Sequence, residues 1–183
     1  MQKSLSLREL VLSSLFAVLT AAGAFIRIPT GISSVTLQFM FTALSGTLLG
    51  ARCGALSQLI YVLLGLLGLP VFTAGGGFSY VFNPTFGFLL GLIPSAWLIG
   101  RMAQKNRSIK GVFAACLAGL GILYAIGLPY MYFILNFYLE RDLTIGYVVY
   151  AGMLIFLPGD FLKIIITAVV TSKIPKGLTG HTK

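Results

Sequence analysis

Two ionisable residues, Asp160 and Lys163, lie in an otherwise apolar stretch near the carboxyl end of the chain. The sequence has four acidic residues, and Asp160 is the one that lies in an apolar context. About a dozen helical residues reach from it to Lys173, well short of the hydrocarbon thickness, so a membrane helix here places Asp160 in the outer half of the bilayer. An ionisable group at that depth costs at least about 2.5–3.5 kcal/mol and commonly marks a functional site.

Two interpretations of this pair remain open. Asp160 and Lys163 are three residues apart, which suits an ion pair within one helix, and Asp160 could also cap the last half-helix. Alternatively, both groups face a polar ligand. A carboxylate accepts hydrogen bonds from ligand N–H groups, and an ammonium donates to a carbonyl or carboxylate. The cost of intramembrane charge favours the ligand interpretation.

A second candidate element is the segment 69–84, in which Gly75, Gly76 and Gly77 precede the aromatic residues Phe78, Tyr80 and Phe82. Glycine permits close approach of the backbone to a ligand, and pockets combine rings with few polar groups. The run lacks the residues of a phosphate loop, so a flexible turn is the alternative. Asn83 is predicted either to cap the following helix or to offer an amide donor and acceptor to a ligand.

Catalytic chemistry has little support in the sequence. His181 is the single histidine and lies in a polar tail, which excludes an intramembrane Ser-His dyad. A metal cluster of histidine, cysteine and carboxylate cannot be assembled, and no nucleotide-binding motif is present. Cys53 and Cys116 lie in apolar segments and are predicted to be small buried packing residues. We therefore expect a binding protein with no catalytic residue, metal or cofactor.

The elements that must position these residues are membrane helices. Hydrophobic residues make up 57% of the chain and charged residues 9%, too few charges for the surface of a soluble domain. Apolar segments predict spans near 10–27, 36–51, 54–69, 84–100, 111–134 and 146–172, the last interrupted at Leu157-Pro158-Gly159-Asp160. Irregular backbone at membrane depth must be buried or line a cavity. We expect one all-α integral membrane domain, residues 1–183, with six transmembrane helices and irregular outer loops, including 28–34, that roof a ligand site.

The net charge of +9 follows this topology. Four cations between the fourth and fifth spans share one side with both termini, namely Arg101, Lys105, Arg107 and Lys110. The opposite side has Arg27 and Arg141. This asymmetry predicts cytoplasmic termini and explains the basic charge without nucleic-acid binding. The first apolar segment is longer than a usual signal-peptide core, so we expect it to remain as the first span.

Small residues recur at helical spacing and predict close helix packing. Within the chain we expect such packing at Gly46, Gly50, Gly54, Gly87 and Gly91. Ala17 and Ala21, also four residues apart, could serve an external partner helix in the same way.

Four segments, taken in order, resemble the biotin-specific S-component (BioY) family of energy-coupling factor (ECF) transporters. They are Val35-Thr36-Leu37-Gln38, Gly68-Leu69-Pro70-Val71-Phe72 leading into the glycine run, Asn83-Pro84-Thr85-Phe86-Gly87-Phe88, and Pro158-Gly159-Asp160-Phe161-Leu162-Lys163. This chain departs from the family at Ser34, where proline is common, and at Phe86 or Phe88, where tyrosine is common.

The resemblance implies a six-helix fold in the cell membrane with a vitamin site near the outer face. It implies that Asp160, Lys163 and Asn83 meet biotin and that Thr36 and Gln38 belong to a lid. It also implies two ATPase subunits and a coupling transmembrane subunit, docked at Ala17 and Ala21. The alternatives are an S-component for another small vitamin and a membrane scaffold whose polar residues only stabilise helix packing.

Overall fold

The computed structural model describes residues 5–29 and 34–174, and this part of the chain is mainly helical. The helices are α1 (Leu7–Phe25), α2 (Gln38–Leu49), α3 (Ala51–Leu66), α4 (Phe86–Lys105), α5 (Ile109–Phe133), α6 (Ile145–Val149) and α7 (Leu157–Lys173). Two π-helical segments, Ile134–Tyr138 and Tyr150–Leu154, extend α5 and α6, and a 3-10 helix occupies Phe78–Phe82. Two strands, β1 (Arg27–Pro29) and β2 (Ser34–Thr36), lie between α1 and α2.

Four helical stretches of the described chain are long and apolar enough to cross a membrane, which makes this a membrane protein. They are Leu7–Phe25, Phe86–Lys105, Ile109–Tyr138 and Ile145–Lys173. The predicted second and third spans form the apolar helices α2 and α3, which have only 12 and 16 residues. At 1.5 Å per residue these helices are about 18 and 24 Å long, less than the roughly 30 Å of a hydrocarbon core.

Glycines allow α2, α3 and α4 to approach one another closely. Gly50, with φ of 86°, separates α2 from α3. A Cβ on Gly54 would lie 2.8 Å from the Cα of Gly46, and a Cβ on Gly46 would lie 2.6 Å from the carbonyl oxygen of Ala96. Any side chain at these two positions would force the helices apart. The predicted close packing is confirmed at Gly46 and Gly54. Gly50 lies between the two helices, so the three glycines do not form a stripe on one helix as predicted.

The long helices α4 and α5 pack in the same manner along the core. A Cβ on Gly87 would lie 2.3 Å from the Cβ of Tyr130, and one on Gly91 would lie 3.2 Å from Leu123. Cys116 on α5 and Cys53 on α3 are buried, free thiols, as predicted. Helix packing without side-chain bulk is the expected solution where apolar residues gain little by leaving lipid.

The chain is mainly helical, in agreement with the predicted all-α class, and the first outer loop, which was predicted to be irregular, contains a short hairpin. β1 and β2 pair antiparallel, with Arg27 opposite Thr36, Ile28 opposite Val35, and Pro29 opposite Ser34. The intervening residues 30–33 of the predicted loop lie outside the described residues. Strands of three residues, one of them containing proline, are too short to show an alternating pattern in the sequence.

The predicted interruption of the last span was misplaced. Residues 157–160 are the first turn of α7, where Pro158 needs no amide hydrogen bond. The irregular backbone comes before them, in the π-helical Tyr150–Leu154 and the turn at 155–156. Phe156 is the N-cap of α7. The alternative that Asp160 caps this helix was therefore wrong.

The face of α1 that carries Ala17 packs inside the molecule. Ala17 is 2% exposed and belongs to the hydrophobic core, and Ala21 is half-buried against that core. In the described chain their contacts are therefore those of intrachain packing. Docking of a partner helix at this pair stays a prediction.

Candidate ligand-binding site

One cavity brings together residues from β2, the four helices α2, α4, α5 and α7, and the segments that connect them. Its empty volume, which includes open solvent at its mouth, is about 660 Å³. Its lining consists of Ser34, Thr36, Gln38, Phe39, Thr73, Tyr80, Thr85, Phe88, Leu89, Leu92, Leu123, Tyr124, Gly152, Phe156, Asp160 and Lys163. Five of the residues predicted from the sequence are among them: Thr36, Gln38, Tyr80, Asp160 and Lys163.

The charged pair of the cavity is buried and linked to two other elements. Lys163 forms an ion pair with Oδ1 of Asp160, and the two residues are 6% and 4% exposed. The hydroxyl of Tyr124 on α5 donates to Oδ2 of the same carboxylate. Nζ of Lys163 also donates to the carbonyl oxygen of Thr36 on β2, at 3.0 Å. The predicted ion pair is present, and it lies in the wall of a cavity.

Hydrogen bonds connect this pair to the outer loops through Gln38. Oγ1 of Thr36 donates to Oε1 of Gln38 at 2.9 Å, and Nε2 of Gln38 donates to the hydroxyl of Tyr61 at 2.8 Å. Tyr61 in turn donates to the carbonyl of Val71 at 3.1 Å. The chain of contacts therefore runs from α7 through the hairpin and α2 to the segment that follows α3.

Phe72 anchors the segment that follows α3. Its ring is 1% exposed and packs against the rings of Tyr61 and Tyr80, with centroids 5.5 and 4.6 Å away. A Cβ on Gly65 of α3 would lie only 2.0 Å from this ring. The ring thus fills a place on α3 that glycine leaves free, and this packing fixes the segment beside the cavity.

The glycine run shapes this segment and lies outside the lining. Gly75 and Gly77 have φ of 116° and 103°, which non-glycine residues rarely adopt. A Cβ on Gly76 would lie 2.1 Å from the carbonyl oxygen of Leu69. Phe78, which follows, is 73% exposed. The residues of this segment that reach the cavity are Thr73 and Tyr80, whose hydroxyl groups lie 3.0 Å apart.

Asn83 positions a neighbour and is not itself among the lining residues. Its Oδ1 accepts from the amide of Thr85 at 2.9 Å and from the Thr85 hydroxyl at 2.7 Å. Thr85 is the N-cap of α4 and lines the cavity. The cap predicted at Asn83 is therefore two residues further along, and direct contact of Asn83 with a ligand stays a prediction.

The remaining wall of the cavity is apolar. It consists of Phe39 on α2, Phe88, Leu89 and Leu92 on α4, Leu123 on α5, and Phe156 before α7. Tyr124 was missed, although a buried tyrosine hydroxyl in an apolar span needs a partner and could have been singled out. The leucines gave no such signal, because lipid-facing and cavity-facing leucines are alike in sequence.

The arrangement can bind a small amphipathic molecule. The polar part of the wall holds one carboxylate, one ammonium, one carboxamide and several hydroxyls, and the rest is hydrocarbon. A group of three or more histidine, cysteine or acidic residues suited to a metal is absent from the described residues. The chemistry available is hydrogen bonding to N–H donors and to a carbonyl or carboxylate, together with apolar contact.

Comparisons with known proteins agree with this architecture. The chain is 42% identical over 178 residues to a probable biotin transporter BioY of Lysinibacillus sphaericus, covering 96% of this chain and 91% of that protein. It is 38% identical over 174 residues to a biotin transporter BioY of Thermotoga maritima, covering 93% and 97%. The crystal structure of the S-component for biotin from an ECF-type ABC transporter has the same fold, with a TM-score of 0.80 over 93% of this chain and 94% of that one, at 24% identity. The model of the BioY family matches residues 1–180, and the chain therefore belongs to the BioY family.

Proposed function

We propose that this chain is the biotin-binding S-component of an ECF-type vitamin uptake transporter. The observation that carries the proposal is the buried pair of Asp160 and Lys163 in the wall of a largely apolar cavity. Relatives named as biotin transporters share up to 42% of their residues with it over nearly the whole chain. Removal of a charge from water is costly, so a charged pair beside an open cavity is best explained by a ligand that uses it.

Biotin suits this inventory of side chains. Its bicyclic head has two ureido N–H donors and a carbonyl acceptor, and its tail is apolar until a terminal carboxylate. In our proposal Asp160 accepts from a ureido N–H. Lys163 either donates to the ligand, at its carbonyl or carboxylate, or keeps its bond with Asp160. The leucine and phenylalanine side chains cover the ring and tail.

The remaining predicted site residues take two kinds of role in this proposal. Thr36, Gln38 and Tyr80 contact the ligand or close over it, since they line the cavity. The glycine run and Asn83 act through their neighbours, by placing Thr73, Tyr80 and Thr85.

We further propose that six segments cross the cell membrane, with α2 and α3 as the two short ones, and that both termini are cytoplasmic. The order of the apolar helices and the shared fold support the count. The excess of lysine and arginine between α4 and α5 supports the orientation. A single domain without nucleotide-binding motifs requires energy from elsewhere, which the coupling subunit and two ATPase subunits would supply.

Equilibrium binding tests the function directly. Purified protein in detergent is expected to bind labelled biotin, and unlabelled biotin should compete whereas thiamin and riboflavin should not. Competition by thiamin or riboflavin alone would indicate an S-component for another vitamin. Absence of any vitamin binding by a folded protein would favour the scaffold.

Orientation is tested separately with reporter fusions. A fusion at Lys183 and one in the Glu140–Asp142 loop are expected to report opposite sides of the membrane. The same side for both would contradict six crossings.

A further inference from the structure

The hydroxyl of Tyr124 touches the ion pair from a neighbouring helix. Tyr124 lies on α5, is 7% exposed, and lines the cavity together with Asp160. Its hydroxyl donates to Oδ2 of Asp160, whereas Lys163 occupies Oδ1. The two oxygens of one carboxylate are thus held by two different helices.

This double contact restricts how the carboxylate can turn. Lys163 is on the same helix as Asp160, three residues away, and its long side chain can follow the carboxylate as it rotates. Tyr124 cannot follow in this way, because its ring has few rotatable bonds and belongs to another helix. An ionised carboxylate has about four lone-pair sites, so it can accept from a ligand N–H while both contacts persist.

The ring of Tyr124 is itself held by its neighbours. The ring of Phe88 on α4 meets it edge-on, with centroids 6.3 Å apart and an interplanar angle of 88°. Phe88 in turn packs where Gly127 leaves space, since a Cβ on Gly127 would lie 2.2 Å from its Cδ1. Three residues of α4 and α5 therefore determine where the hydroxyl that meets Asp160 lies.

We propose that Tyr124 is a positioning residue of the site, which holds the Asp160 carboxylate in one orientation for the N–H donors of the ligand. This inference rests on the proposed function for the identity of the ligand. The orientation itself is a property of the unliganded protein and can be measured without any ligand.

The composition of the chain makes that measurement simple. Asp160 and Asp142 are its two aspartates, and Asp142 is exposed in the loop before α6. Protein labelled with ¹³C at the aspartate carboxyl carbon should give two resonances, and the Asp160→Asn variant identifies them. Tyr124→Phe, which keeps the ring against Phe88, is expected to move the Asp160 resonance and leave that of Asp142 in place.

Tyr130→Phe is the matched control for this change. Tyr130 is on the same helix, is half-buried, and donates its hydroxyl to the carbonyl of Val81, away from the carboxylate. It should leave the Asp160 resonance unchanged. Phe88→Leu keeps the Tyr124 hydroxyl but removes its brace, and should broaden or shift the same resonance. An Asp160 resonance that neither Tyr124→Phe nor Phe88→Leu alters would overturn the proposal.

Binding then separates a positioning role from a merely structural one. Tyr124→Phe is expected to weaken biotin binding by about tenfold, the effect of one charge-assisted hydrogen bond. In the Asp160→Asn background the same change should cause little further loss, because its effect passes through the carboxylate. A Tyr124→Phe loss of biotin affinity that is equally large in the unsubstituted protein and in Asp160→Asn would contradict the proposal. Failure of the unsubstituted protein to bind biotin would count against the proposed function, and the carboxyl resonances would still decide the role of Tyr124.

Discussion

Two clusters of buried polar side chains lie in this helical bundle, and they differ in what surrounds them. One centres on Gln58 in α3 and is enclosed by helices. The other centres on Asp160 in α7 and borders a cavity. Both clusters consist of polar residues within apolar segments, so polarity within an apolar segment does not by itself distinguish them.

The Gln58 cluster is complete without a ligand. Gln58 is 0% exposed, accepts from the hydroxyl of Thr42 at 2.9 Å, and donates towards the hydroxyls of Ser57, Thr20 and Ser45 at 2.9 to 3.3 Å. All its members are neutral and they come from α1, α2 and α3. Such neutral contacts join helices in lipid, and each contributes modestly.

The Asp160 cluster carries charge and faces space that a ligand can fill. Its members belong to α5, α7 and β2, so it joins the helical core to the hairpin. The comparison shows that burial of a polar group does not by itself identify a site. Charge, an adjoining cavity and connection to a loop together distinguish the Asp160 cluster and make it the candidate site.

The largest effect is expected at Asp160. Asp160→Asn keeps the shape and one acceptor but loses charge assistance, so biotin affinity should fall about ten- to hundred-fold. The same change leaves Lys163 buried without its carboxylate and should lower thermal stability. Biotin affinity and thermal unfolding are to be measured on the same samples.

The double variant separates the ion pair from the site. Asp160→Asn combined with Lys163→Met should recover stability but not affinity. Near-normal affinity in the double variant would remove both residues from the site and make the two polar clusters equivalent.

An intermediate effect is expected from Gln58→Leu, and it should appear in stability alone. Loss of the carboxamide removes its contacts with hydroxyls on three helices and takes the acceptor from the Thr42 hydroxyl, which should cost about 1–2 kcal/mol of the free energy of unfolding. Biotin affinity should stay within about twofold of the unsubstituted protein. A loss of affinity as large as that of Asp160→Asn would break the distinction between the clusters.

Gln38→Leu is the matched change on the cavity side. Gln38 lines the cavity and joins Thr36 to Tyr61, so its replacement should weaken biotin binding by several-fold to about tenfold. Binding isotherms of the two glutamine variants, measured together, test the comparison directly. Equal biotin affinities of Gln38→Leu and Gln58→Leu would argue that Gln38, like Gln58, only stabilises helix packing.

The smallest effect is expected from a methyl group placed behind the cavity wall. Gly127→Ala should push the Phe88 ring and weaken biotin binding by a few-fold. Overpacking of this kind also typically costs about 1–3 kcal/mol of stability. Gly121→Ala on the same helix is the control, because a Cβ there meets nothing within 4 Å. The control should leave affinity unchanged and raise stability slightly, by up to about 1 kcal/mol. Equal behaviour of the two variants in a binding assay would show that Phe88 does not set the cavity wall.

The sequence alone determined the class of the protein and the position of its helices. Long apolar runs with few charges require a lipid environment in any tertiary arrangement. In lipid, apolar side chains are favoured and the backbone must satisfy its own hydrogen bonds, so each run forms a helix. Asp160 and Lys163 stood out for the same reason, since charge in an apolar run is costly in any fold. Close packing at Gly46, Gly54, Gly87 and Gly91 was also predictable, because close helix approach needs small residues, whereas the helix break at Gly50 was not.

Tertiary structure alone decided which polar groups share the cavity. Tyr124 meets Asp160 across two helices, 36 residues away, and no local spacing encodes that meeting. The glycine run and Asn83 lie outside the lining of the cavity and shape the backbone that presents Thr73, Tyr80 and Thr85, and their contact with a ligand stays a prediction. The positive φ angles of the glycines determine which way the side chains that follow them point. Whether they point into the cavity depends on how the helices around the segment pack.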